Sequence, residues 1–408
     1  MNILFLTLGY PEGNNDRNIY TDLMMELESK GNNVYVTTCL ERRNKRKTFL
    51  KKEKNITVLR VKTGNIQKTN IIEKGMSTLL IEYQFINDIK KYFNDIKFDL
   101  IIYSTPPITF EKVIKMIKKR DGAKSYLLLK DIFPQNAVDI GMIKENSFLH
   151  KFFSKKEKRL YFISDHIGCM SEKNKQYLLE KNNYINKDIV EVCSNSIKPS
   201  KVNLLEYEEK IRLKKEIGIP KEALVFIYGG NLGRPQGIDF LIEIINEYKN
   251  KNNIFFLIIG TGTEYKKLEN FIKREDPINT KLYSFLPKEE YDNYVMLSDV
   301  GLILLDSRFT IPNFPSRLLG YMDYSLPVVA ATDINTDIGK VIVDGRFGYW
   351  CESGNLKEFN NIVEKLDKDR DILSRMGANS RKYLIENYTA EKSADVILNT
   401  INRSCKID

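Results

Sequence analysis

The chain has 408 residues, of which 42% are hydrophobic and 11% aromatic, and its formal net charge is +10. This length is too great for a single core and predicts two domains of about 200 residues each. No uninterrupted apolar stretch reaches ~18 residues and no signal peptide opens the chain, so we expect a protein that neither spans a membrane nor is exported.

The cysteines, histidines and acidic pairs argue against several kinds of site. Five cysteines are scattered without any C-x-x-C spacing, and only two histidines are present. This composition disfavours disulfides, a zinc site and a multi-histidine metal site, and it favours a reducing, cytoplasmic location. The Asp-x-Asp sequences at 367–371 fall in a charged, helix-rich stretch and are interpreted as solvated. We therefore expect no bound metal.

The first half alternates strands and helices. A helix is predicted from about Asn18 to Lys30, and nearly continuous apolar strands are predicted at 2–8, 33–39, 56–61, 99–104, 125–130, 166–171 and 188–193. Such strands are typical of a parallel sheet that helices cover on both faces, as in a Rossmann-like domain. Ligands bind at the carboxyl edge of such sheets. Candidate ligand-binding residues at this edge are Gly9, Gly13, Asn14, Lys130 and Asp131.

Two basic clusters lie in this half, at 42–54 ("RRNKRKTFLKKEK") and 150–162 ("HKFFSKKEKRLYF"). One interpretation is solvated loops and helix faces in a lysine-rich protein. The other is attachment to an anionic membrane surface, with the aromatic rings at headgroup depth. Nucleic acid is not expected as a partner, because no nucleic-acid-binding motif is present.

A polar stretch at 196–210 is predicted to be a linker, after which the strand–helix pattern restarts. Strands are predicted at 224–230, 254–260, 281–285, 300–305, 327–331 and 348–350, and helices at 356–366, 368–387 and 390–403. The predicted domains are residues 1–197 and 198–385. Residues 386–408 would form a helix that returns to the first domain.

Three loops of the second half suit a phosphate group. Two are glycine-rich turns after strands, "YGGNLGRPQG" at 228–237 and "IIGTG" at 258–262. The third is Pro315-Ser316-Arg317, where Pro315 suits a first helical turn and the helix start offers free N–H groups, a hydroxyl and a guanidinium. The candidate residues for binding a phosphate-bearing ligand in this half are Gly230, Asn231, Gly233, Gln236, Gly260, Gly262, Leu286, Pro287, Pro315 and Ser316, with Arg234 and Arg317 as the cations.

At this point the sequence resembles the retaining glycosyltransferases of family 4, which have the two-domain GT-B fold. The resemblance covers essentially the whole chain and is nearest to the subgroup that adds sugars such as N-acetyl-L-fucosamine during O-antigen and capsule assembly. "DIFPQ" (131–135) is similar to that subgroup's Asp-Leu-Trp-Pro-Glu, and "GNLGRPQG" (230–237) to its Gly-Asn-x-Gly-x-x-Gln-Gly turn. The resemblance implies two Rossmann-like doubly wound sheets facing across a cleft, with C-terminal helices that pack back toward the first domain. It also implies that residues 1–197 bind the acceptor or the sugar and that residues 198–385 bind the nucleotide-sugar donor, through the candidate residues named above for each half.

The sequence departs from the wider family at two acidic positions. Most members carry two glutamates in the stretch around Pro315, and by register these fall on Pro312 and Gly320, which are not acidic. The subgroup whose members carry Pro-Ser-Arg lacks them too, so their absence does not by itself imply an inactive protein.

A second departure concerns the glycine turn, where the wider family's Arg and Lys correspond to Asn231 and Gln236. Arg234 and Arg317 are then the available cations for the leaving diphosphate, whose stabilisation would be the largest catalytic effect. The resemblance implies front-face attack by the acceptor hydroxyl, so no enzyme nucleophile is needed. Asp131 is the candidate for positioning the acceptor or the sugar, and its alternative role is that of a turn or capping carboxylate.

The sequence therefore predicts a cytoplasmic, peripheral membrane, metal-independent retaining glycosyltransferase. Its donor would be a UDP-sugar, an N-acetylated amino sugar or a 6-deoxy amino sugar being candidates. Its acceptor would be a saccharide linked to undecaprenyl diphosphate in surface polysaccharide synthesis. Two alternatives stay open: a nucleotide-sugar 2-epimerase on the same fold, and a non-catalytic subunit that binds a nucleotide or a glycan.

Overall fold

A computed structural model describes residues 1–13, 17–66, 69, 71–201 and 205–404. The chain divides into two compact units, the first formed by Met1–Lys198 with Thr389–Asp408 and the second by Pro199–Tyr388. Each unit is built on its own sheet of mainly or wholly parallel strands with helices between them. The predicted α/β architecture of two Rossmann-like units is thus confirmed.

The first unit contains an eight-stranded sheet in the order β3-β4-β2-β1-β5-β6-β7-β8. The order reverses between β1 and β5, which is where α/β sheets open a crevice at their carboxyl edge. Its strands are β1 (Asn2–Thr7), β2 (Asn33–Glu41), β3 (Phe49–Glu53), β4 (Ile56–Thr63), β5 (Leu100–Ser104), β6 (Lys124–Leu129), β7 (His166–Cys169) and β8 (Val190–Val192).

The helices of the first unit follow the strand–helix alternation. They are α1 (Ile19–Ser29), α2 (Ile71–Tyr92), α3 (Glu111–Asp121), α4 (Gln135–Asp139), α5 (Phe148–Ile163) and α6 (Glu172–Lys181), with a last helix from the end of the chain. Helix α1 begins at a capping box, in which the Asn18 side chain accepts from two backbone N–H groups and Thr21 accepts from the backbone N–H of Asn18.

Strand β3 was not predicted. Among the strands in the described ranges, it alone pairs antiparallel to its neighbour, β4. The strand lies inside the basic cluster 42–54. Its five residues, "FLKKE", form a segment that is too short and too rich in lysine to be recognised as a strand from the sequence. Lysines on an edge strand discourage pairing with a further strand, so the same composition that hides the strand suits its edge position. The interpretation of this cluster as loops and helix faces is corrected accordingly.

The second unit contains a six-stranded, wholly parallel sheet in the order β11-β10-β9-β12-β13-β14. The order reverses between β9 and β12, which places a second crevice there. The strands are β9 (Leu224–Gly229), β10 (Ile254–Ile259), β11 (Thr280–Tyr283), β12 (Val300–Leu304), β13 (Val328–Thr332) and β14 (Gly348–Glu352).

The helices of the second unit are α7 (Tyr207–Glu216), α8 (Ile238–Tyr248), α9 (Tyr265–Glu275), α10 (Lys288–Leu297), α11 (Arg317–Asp323), α12 (Ile338–Asp344), α13 (Leu356–Lys368) and α14 (Asp371–Asn387). Helix α7 begins inside the predicted linker, which is a correction. It is a mostly polar helix with Glu208 and Glu209 in its first turn and lysines in its last, a charge arrangement that the helix dipole favours.

The last helix, α15 (Ala390–Ser404), belongs to the first unit, although it follows the second unit in the chain. Its Ala394, Ile397 and Ile401 are buried in the core that contains Ile3 and Leu23. Among the described residues, no helix is long and apolar enough to cross a membrane.

Candidate functional site

Three loops of the second unit meet at the carboxyl edge of its sheet, on both sides of the reversal between β9 and β12. The loop after β9 is bonded to the loop after β10, since Gly230 N donates to Ile259 O (2.9 Å) and Leu232 N donates to Thr261 O (2.8 Å). The loop after β12 joins them through Asp306 N, which donates to Pro235 O (3.1 Å). The sheet topology thus brings together turns that lie far apart in the sequence.

Two of the predicted glycines allow this close approach. A Cβ atom on Gly260 would lie 1.7 Å from Gly230 O, so the two loops can touch only if residue 260 has no side chain. Gly230 itself has a φ of +135°, and a Cβ there would lie 3.4 Å from Arg317 Nη2. The glycine-rich turns therefore pack against each other and against the start of α11.

Arg317 is the first residue of α11 and lies at the centre of this edge. Its Nη2 donates to Gln236 Oε1 (2.6 Å), and its guanidinium carbon lies 4.3 Å from the ring centroid of Tyr228. Its Nη1 is buried and has no hydrogen-bond partner among the residues that the structure describes. One edge of the guanidinium is thus held by Gln236, and the buried Nη1 amino group has no partner in the described part of the chain, which is unusual for a buried polar group.

The start of α11 differs from the prediction in one respect. The helix begins at Arg317, so Pro315 lies two residues before it and does not occupy its first turn. Leu318 N and Leu319 N instead donate to Pro315 O and Ser316 O, a tight turn that leads into the helix. Ser316 is exposed, and its side chain makes no capping hydrogen bond.

Arg234 lies on the same edge but is held differently from Arg317. Its side chain is 57% exposed, and its Nε lies 3.6 Å from Glu264 Oε1 in the loop after β10. Asn231 and Gly233 flank it in the glycine turn, and the Asn231 carbonyl accepts a hydrogen bond from Tyr228 (2.7 Å). An exposed guanidinium that is already paired binds a further anion less strongly than a buried one with a vacant N–H group.

A cavity of about 430 Å³ opens beside the glycine turns. Its lining contains residues from the ends of β9, β10 and β11 and one residue of α10, namely Gly229, Gly230, Asn231, Ile259, Gly260, Thr261, Ser284, Phe285, Leu286 and Tyr291. Gly230, Asn231, Gly260 and Leu286 are among the predicted donor-binding residues, and Pro287 comes just before α10. Gly262 lies beyond this lining and packs against Leu232.

Sequence reasoning did not find Tyr291, whose hydroxyl lies 2.2 Å from the place where a Cβ on Gly229 would stand. The available signal was its spacing, because Tyr291 lies one helical turn after Pro287. The Tyr291 N–H donates to the Pro287 carbonyl (2.9 Å).

Sequence reasoning also missed Asp306. It follows β12 at the same edge and forms a paired contact with Arg308, through Nε (2.8 Å) and Nη2 (2.7 Å).

The positions of the two absent glutamates are Pro312, which is buried, and Gly320, which is exposed. A Cβ atom on Gly320 would meet no described atom within 4 Å. There is therefore room for an acidic side chain at position 320. Its absence is a feature of this sequence, and packing does not require it.

In the first unit, Asp131 follows β6 at the carboxyl edge. Its backbone is fixed by Thr105, whose Oγ1 accepts from Asp131 N (3.1 Å) and donates to Asp131 O (2.9 Å). Its Oδ1 accepts from Asn136 Nδ2 (2.6 Å). Burial raises the pKa of this carboxyl to about 6, although the hydrogen bonds from Asn136 and the Ile132 backbone oppose the shift.

Lys130, beside Asp131, is used inside the unit: its Nζ donates to Cys193 O (3.3 Å). Burial lowers its pKa.

Glu157 on α5 is, like Asp131, a carboxyl whose pKa is raised. Burial raises its pKa to about 7, its Oε1 accepts from the Tyr161 hydroxyl (2.8 Å), and Asp131 adds to the shift.

The loop after β1, which contains Gly9 and Gly13, is held by two arginines. Arg60 donates to the carbonyls of Tyr10 and Pro11, both at 2.8 Å, and is itself 4% exposed and paired with Glu53. Arg46 binds both carboxylate oxygens of Glu12, at 2.7 and 2.9 Å. The predicted residue Asn14 lies outside the described residues.

No group of three or more His, Cys, Asp or Glu side chains in the described part of the chain is arranged to hold a metal ion.

Comparison with known proteins gives a family for the second unit. Residues 209–383 match the family described as Glycosyl transferases group 1. A probable glycosyltransferase, WbjE of Pseudomonas aeruginosa, is 22% identical over 79% of this chain and 78% of its own length. Poly(ribitol-phosphate) alpha-N-acetylglucosaminyltransferase of Staphylococcus aureus is 25% identical over 72% of this chain and 57% of its own.

Solved structures with the same fold cover the whole chain. The sucrose-phosphate synthase of Thermosynechococcus elongatus has a TM-score of 0.79 at 13% identity and covers 100% of both chains. HepE of Anabaena in complex with UDP has a TM-score of 0.70 at 13% identity, over 99% of this chain and 100% of its own. The family match thus covers residues 209–383 within the second unit, and the chain as a whole has the two-unit GT-B fold of these solved structures.

Proposed function

We propose that this protein transfers a sugar from a UDP-sugar to a lipid-linked saccharide, with retention of configuration and without a metal ion. The observation that carries the proposal is Arg317, whose buried Nη1 has no partner in the described residues while Nη2 is fixed by Gln236. A guanidinium with one fixed edge and one vacant N–H group suits a phosphate oxygen.

The diphosphate would lie between Arg317 and the glycine turn after β9. Negative charge develops on the leaving diphosphate as the bond to the sugar breaks, and a preorganised cation at that place stabilises the transition state. Arg234, with its more exposed side chain, would assist from the rim of the same loop. HepE of Anabaena, which has the same fold, was solved both with UDP and with UDP-glucose, and a second protein of this fold, from Escherichia coli, was solved with UDP-2-fluoro glucose, which supports a uridine nucleotide here.

The base and ribose would occupy the cavity beside this loop. Ser284, Phe285, Leu286 and Tyr291 are among the residues that line it. Phe285 is 77% exposed, so its ring is available to pack on a flat base.

An N-acetylated amino sugar is the donor that the relatives favour. The names of the Staphylococcus aureus enzyme and of the N-acetyl-alpha-D-glucosaminyl L-malate synthase of Bacillus anthracis, 25% identical over 44% of this chain, both include such a sugar. A 6-deoxy amino sugar is the second candidate, from the resemblance of "DIFPQ" to the fucosamine subgroup.

In the first unit, Asp131 would accept a hydrogen bond from the attacking hydroxyl, with the loop of Gly9 and Gly13 beside it on the same sheet edge. The leaving phosphate would take the proton in a front-face attack, so Asp131 positions the acceptor and forms no covalent bond. The acceptor would be a saccharide on undecaprenyl diphosphate, which the enzyme would meet at the inner face of the cell membrane.

One observation favours a second candidate, a non-catalytic nucleotide- or glycan-binding subunit. Neither Pro312 nor Gly320 supplies the carboxylates that most of the wider family carries. Sugar transfer by the isolated chain would exclude this candidate. Isomerisation of a UDP-sugar in the absence of any acceptor would instead indicate the 2-epimerase.

The proposal is tested by thermal unfolding with UDP, GDP, ADP or CMP, with and without EDTA. At ~100 times its dissociation constant, a specific nucleotide should raise the free energy of unfolding by about 2.7 kcal/mol. We expect UDP to stabilise the wild type and not Arg317→Ala, and EDTA to have no effect. Arg212→Ala, an exposed arginine on α7, is the matched control. Stabilisation of Arg317→Ala equal to the wild type would contradict the assignment of Arg317.

A further inference from the structure

Helix α2 carries an apolar surface that no described residue of its own unit covers. Met76, Leu79, Leu80 and Tyr83 are 61%, 49%, 51% and 65% exposed. Their spacing of i, i+3, i+4 and i+7 places them on one face of the helix. We call these four residues the α2 ridge.

The opposite face of α2 is an ordinary core face. Ile81, Phe85 and Ile89 are fully buried there. At 100° per residue, the centre of the α2 ridge lies roughly half a turn away from that core face. A helix that is already anchored by one apolar face has no folding reason to carry a second, and a contiguous exposed apolar surface marks an interaction site.

The two basic clusters found in the sequence lie on the two flanks of α2. The cluster 42–54 runs along one flank, where Arg42 binds Glu73 (2.8 Å) and Thr48 Oγ1 donates to Asp88 Oδ2 (2.9 Å). The cluster 150–162, on α5, approaches the other flank, where Lys156 Nζ lies 3.9 Å from Glu82. The α2 ridge thus lies between two cationic segments.

The surface of α5 adds further apolar and basic groups. Phe148, Leu149 and Phe162 are exposed, as are Lys151 and Lys155. In the first cluster, by contrast, the three arginines Arg42, Arg43 and Arg46 are paired with carboxylates of the same unit. Lys45, Lys47, Lys51 and Lys52 are exposed as well, and among the described residues they form no ion pair.

The two units also differ in net charge, and the unit that contains α2 is the positive one. Residues 1–198 and 389–408 contain 38 Lys and Arg against 26 Asp and Glu, a net charge of +12, whereas residues 199–388 contain 26 against 28, a net charge of −2. The excess positive charge of the protein thus belongs entirely to the unit that carries the α2 ridge. Such a unit is drawn to an anionic surface.

We propose that the α2 ridge is the surface by which the protein docks on an anionic lipid bilayer. The helix lies in the plane of the interface, its four apolar side chains enter the headgroup region, and the flanking lysines contact lipid phosphates. The inference deepens the proposed function, on which it rests for the lipid-linked acceptor. It assigns the docking to a helix face that the basic clusters only border.

The test is sedimentation with vesicles of phosphatidylcholine alone or with 30% phosphatidylglycerol. The ridge variant is Leu79→Gln, Leu80→Gln and Tyr83→Gln together, since glutamine keeps helix propensity and removes the apolar groups. The matched control replaces three exposed apolar residues of the second unit, Ile278, Val343 and Ile385, by glutamine. We expect the wild type and the control to bind the anionic vesicles and the ridge variant to bind at least tenfold less.

Three results would overturn the inference. They are binding of the ridge variant equal to that of the wild type, no binding of the wild type to anionic vesicles, and a concentration-dependent dimer that the ridge variant abolishes. The last would assign the surface to a second copy of the chain.

A second measurement does not depend on the triple variant. Tryptophan is introduced as Leu80→Trp or, in the control, as Ile385→Trp, and its emission is quenched by brominated lipids. The native Trp350 is common to both proteins. We expect quenching above the Trp350 background for Leu80→Trp only, and equal quenching in both would contradict the inference.

UDP-dependent thermal stabilisation is measured on the same samples. If UDP stabilises the protein and vesicles do not bind, the docking inference alone is wrong. If vesicles bind through the α2 ridge and no nucleotide stabilises the protein, the proposed function alone is wrong.

Discussion

At the scale of single residues, Gln236 and Tyr228 both contact the guanidinium of Arg317. By the resemblance, position 236 is a lysine in the wider family, and here the Gln236 amide oxygen accepts a hydrogen bond from Arg317. The positive charge needed at the diphosphate would thus come from the start of α11 in place of the glycine turn. Tyr228, beneath the guanidinium, keeps it flat against the sheet edge.

Asp131 gives a prediction about pH. Its pKa of about 6 lies above the ordinary value of 3.8, so the folded protein holds this proton more tightly than the unfolded chain. Stability contributed by this group therefore falls as the pH rises from about 4 to 6 and stays low above 6. If the carboxylate accepts the acceptor's hydrogen bond, kcat/KM for the acceptor should rise over the upper part of the same interval. Asp131→Asn should remove both changes.

The measurements are kcat/KM and urea unfolding between pH 4.5 and 8. We expect Asp131→Asn to lower kcat/KM about 100-fold above pH 6 and to unfold at a higher urea concentration than the wild type at pH 8. Glu157→Gln is the control, since that carboxyl has a pKa of about 7. A pH dependence that survives in Asp131→Asn and disappears in Glu157→Gln would assign the titration to Glu157.

At the scale of elements, each loop at a sheet edge is held by an interaction from another element. Tyr321 shows this for α11: its hydroxyl accepts from Gly229 N (3.0 Å) and lies 3.1 Å from Ile227 O, so it fixes the helix to β9. Arg60 on β4 does the same for the loop after β1. These anchors position the candidate site without touching a substrate.

Arg60 gives a prediction for that loop. Arg60→Gln removes two hydrogen bonds to the loop backbone and leaves Glu53 without its buried partner, and loss of one member of a buried pair costs about 3–5 kcal/mol. We expect a lower unfolding temperature, a higher KM for the acceptor and an unchanged UDP affinity. Arg46→Gln, at the more exposed Glu12 pair, is the milder control. Weaker UDP binding in Arg60→Gln would show that the loop serves the nucleotide.

At the scale of the whole molecule, the last helix packs in the first unit and not in the unit that precedes it in the sequence. Helix α15 follows the second unit in sequence and yet completes the core around α1, with further bonds from Thr400 to Glu191 (2.7 and 2.8 Å). The stability of the first unit therefore depends on the last residues of the chain.

Ile397 tests this dependence, because it is fully buried in the core of the first unit. Ile397→Ala should lower the free energy of unfolding by about 2–5 kcal/mol through the cavity it leaves. In calorimetry of the wild type, we expect UDP to shift the unfolding transition of the second unit and not that of the first unit. Ile397→Ala should lower the unfolding temperature of the first-unit transition. Asn402→Ala, an exposed position on the same helix, is the control. An unchanged unfolding temperature would contradict the packing of α15.

Strands and the order of elements could be predicted from the sequence, because buried parallel strands are almost continuously apolar. "LVFIYGG" and "IFFLIIG" each gave a strand and a glycine turn, and both lie where they were predicted. β3 and α7 could not be predicted in this way, since their polar residues carry no apolar period. The start of α11 was misplaced by two residues because a proline also suits the turn that precedes a helix.

The sequence by itself determined the α/β class, two sheets and the residue types at each strand end. Only the tertiary structure decided which of those residues meet. Gln236 and Arg317 are 81 positions apart, and their bond exists because the strand order reverses between β9 and β12. The α2 ridge was likewise hidden, because an apolar residue on a helix reads the same in sequence whether its face meets the core or solvent. The apolar pattern of a segment depends on its own residues. Which side chains meet, and which helix faces are exposed, depends on the order of the strands in the sheet.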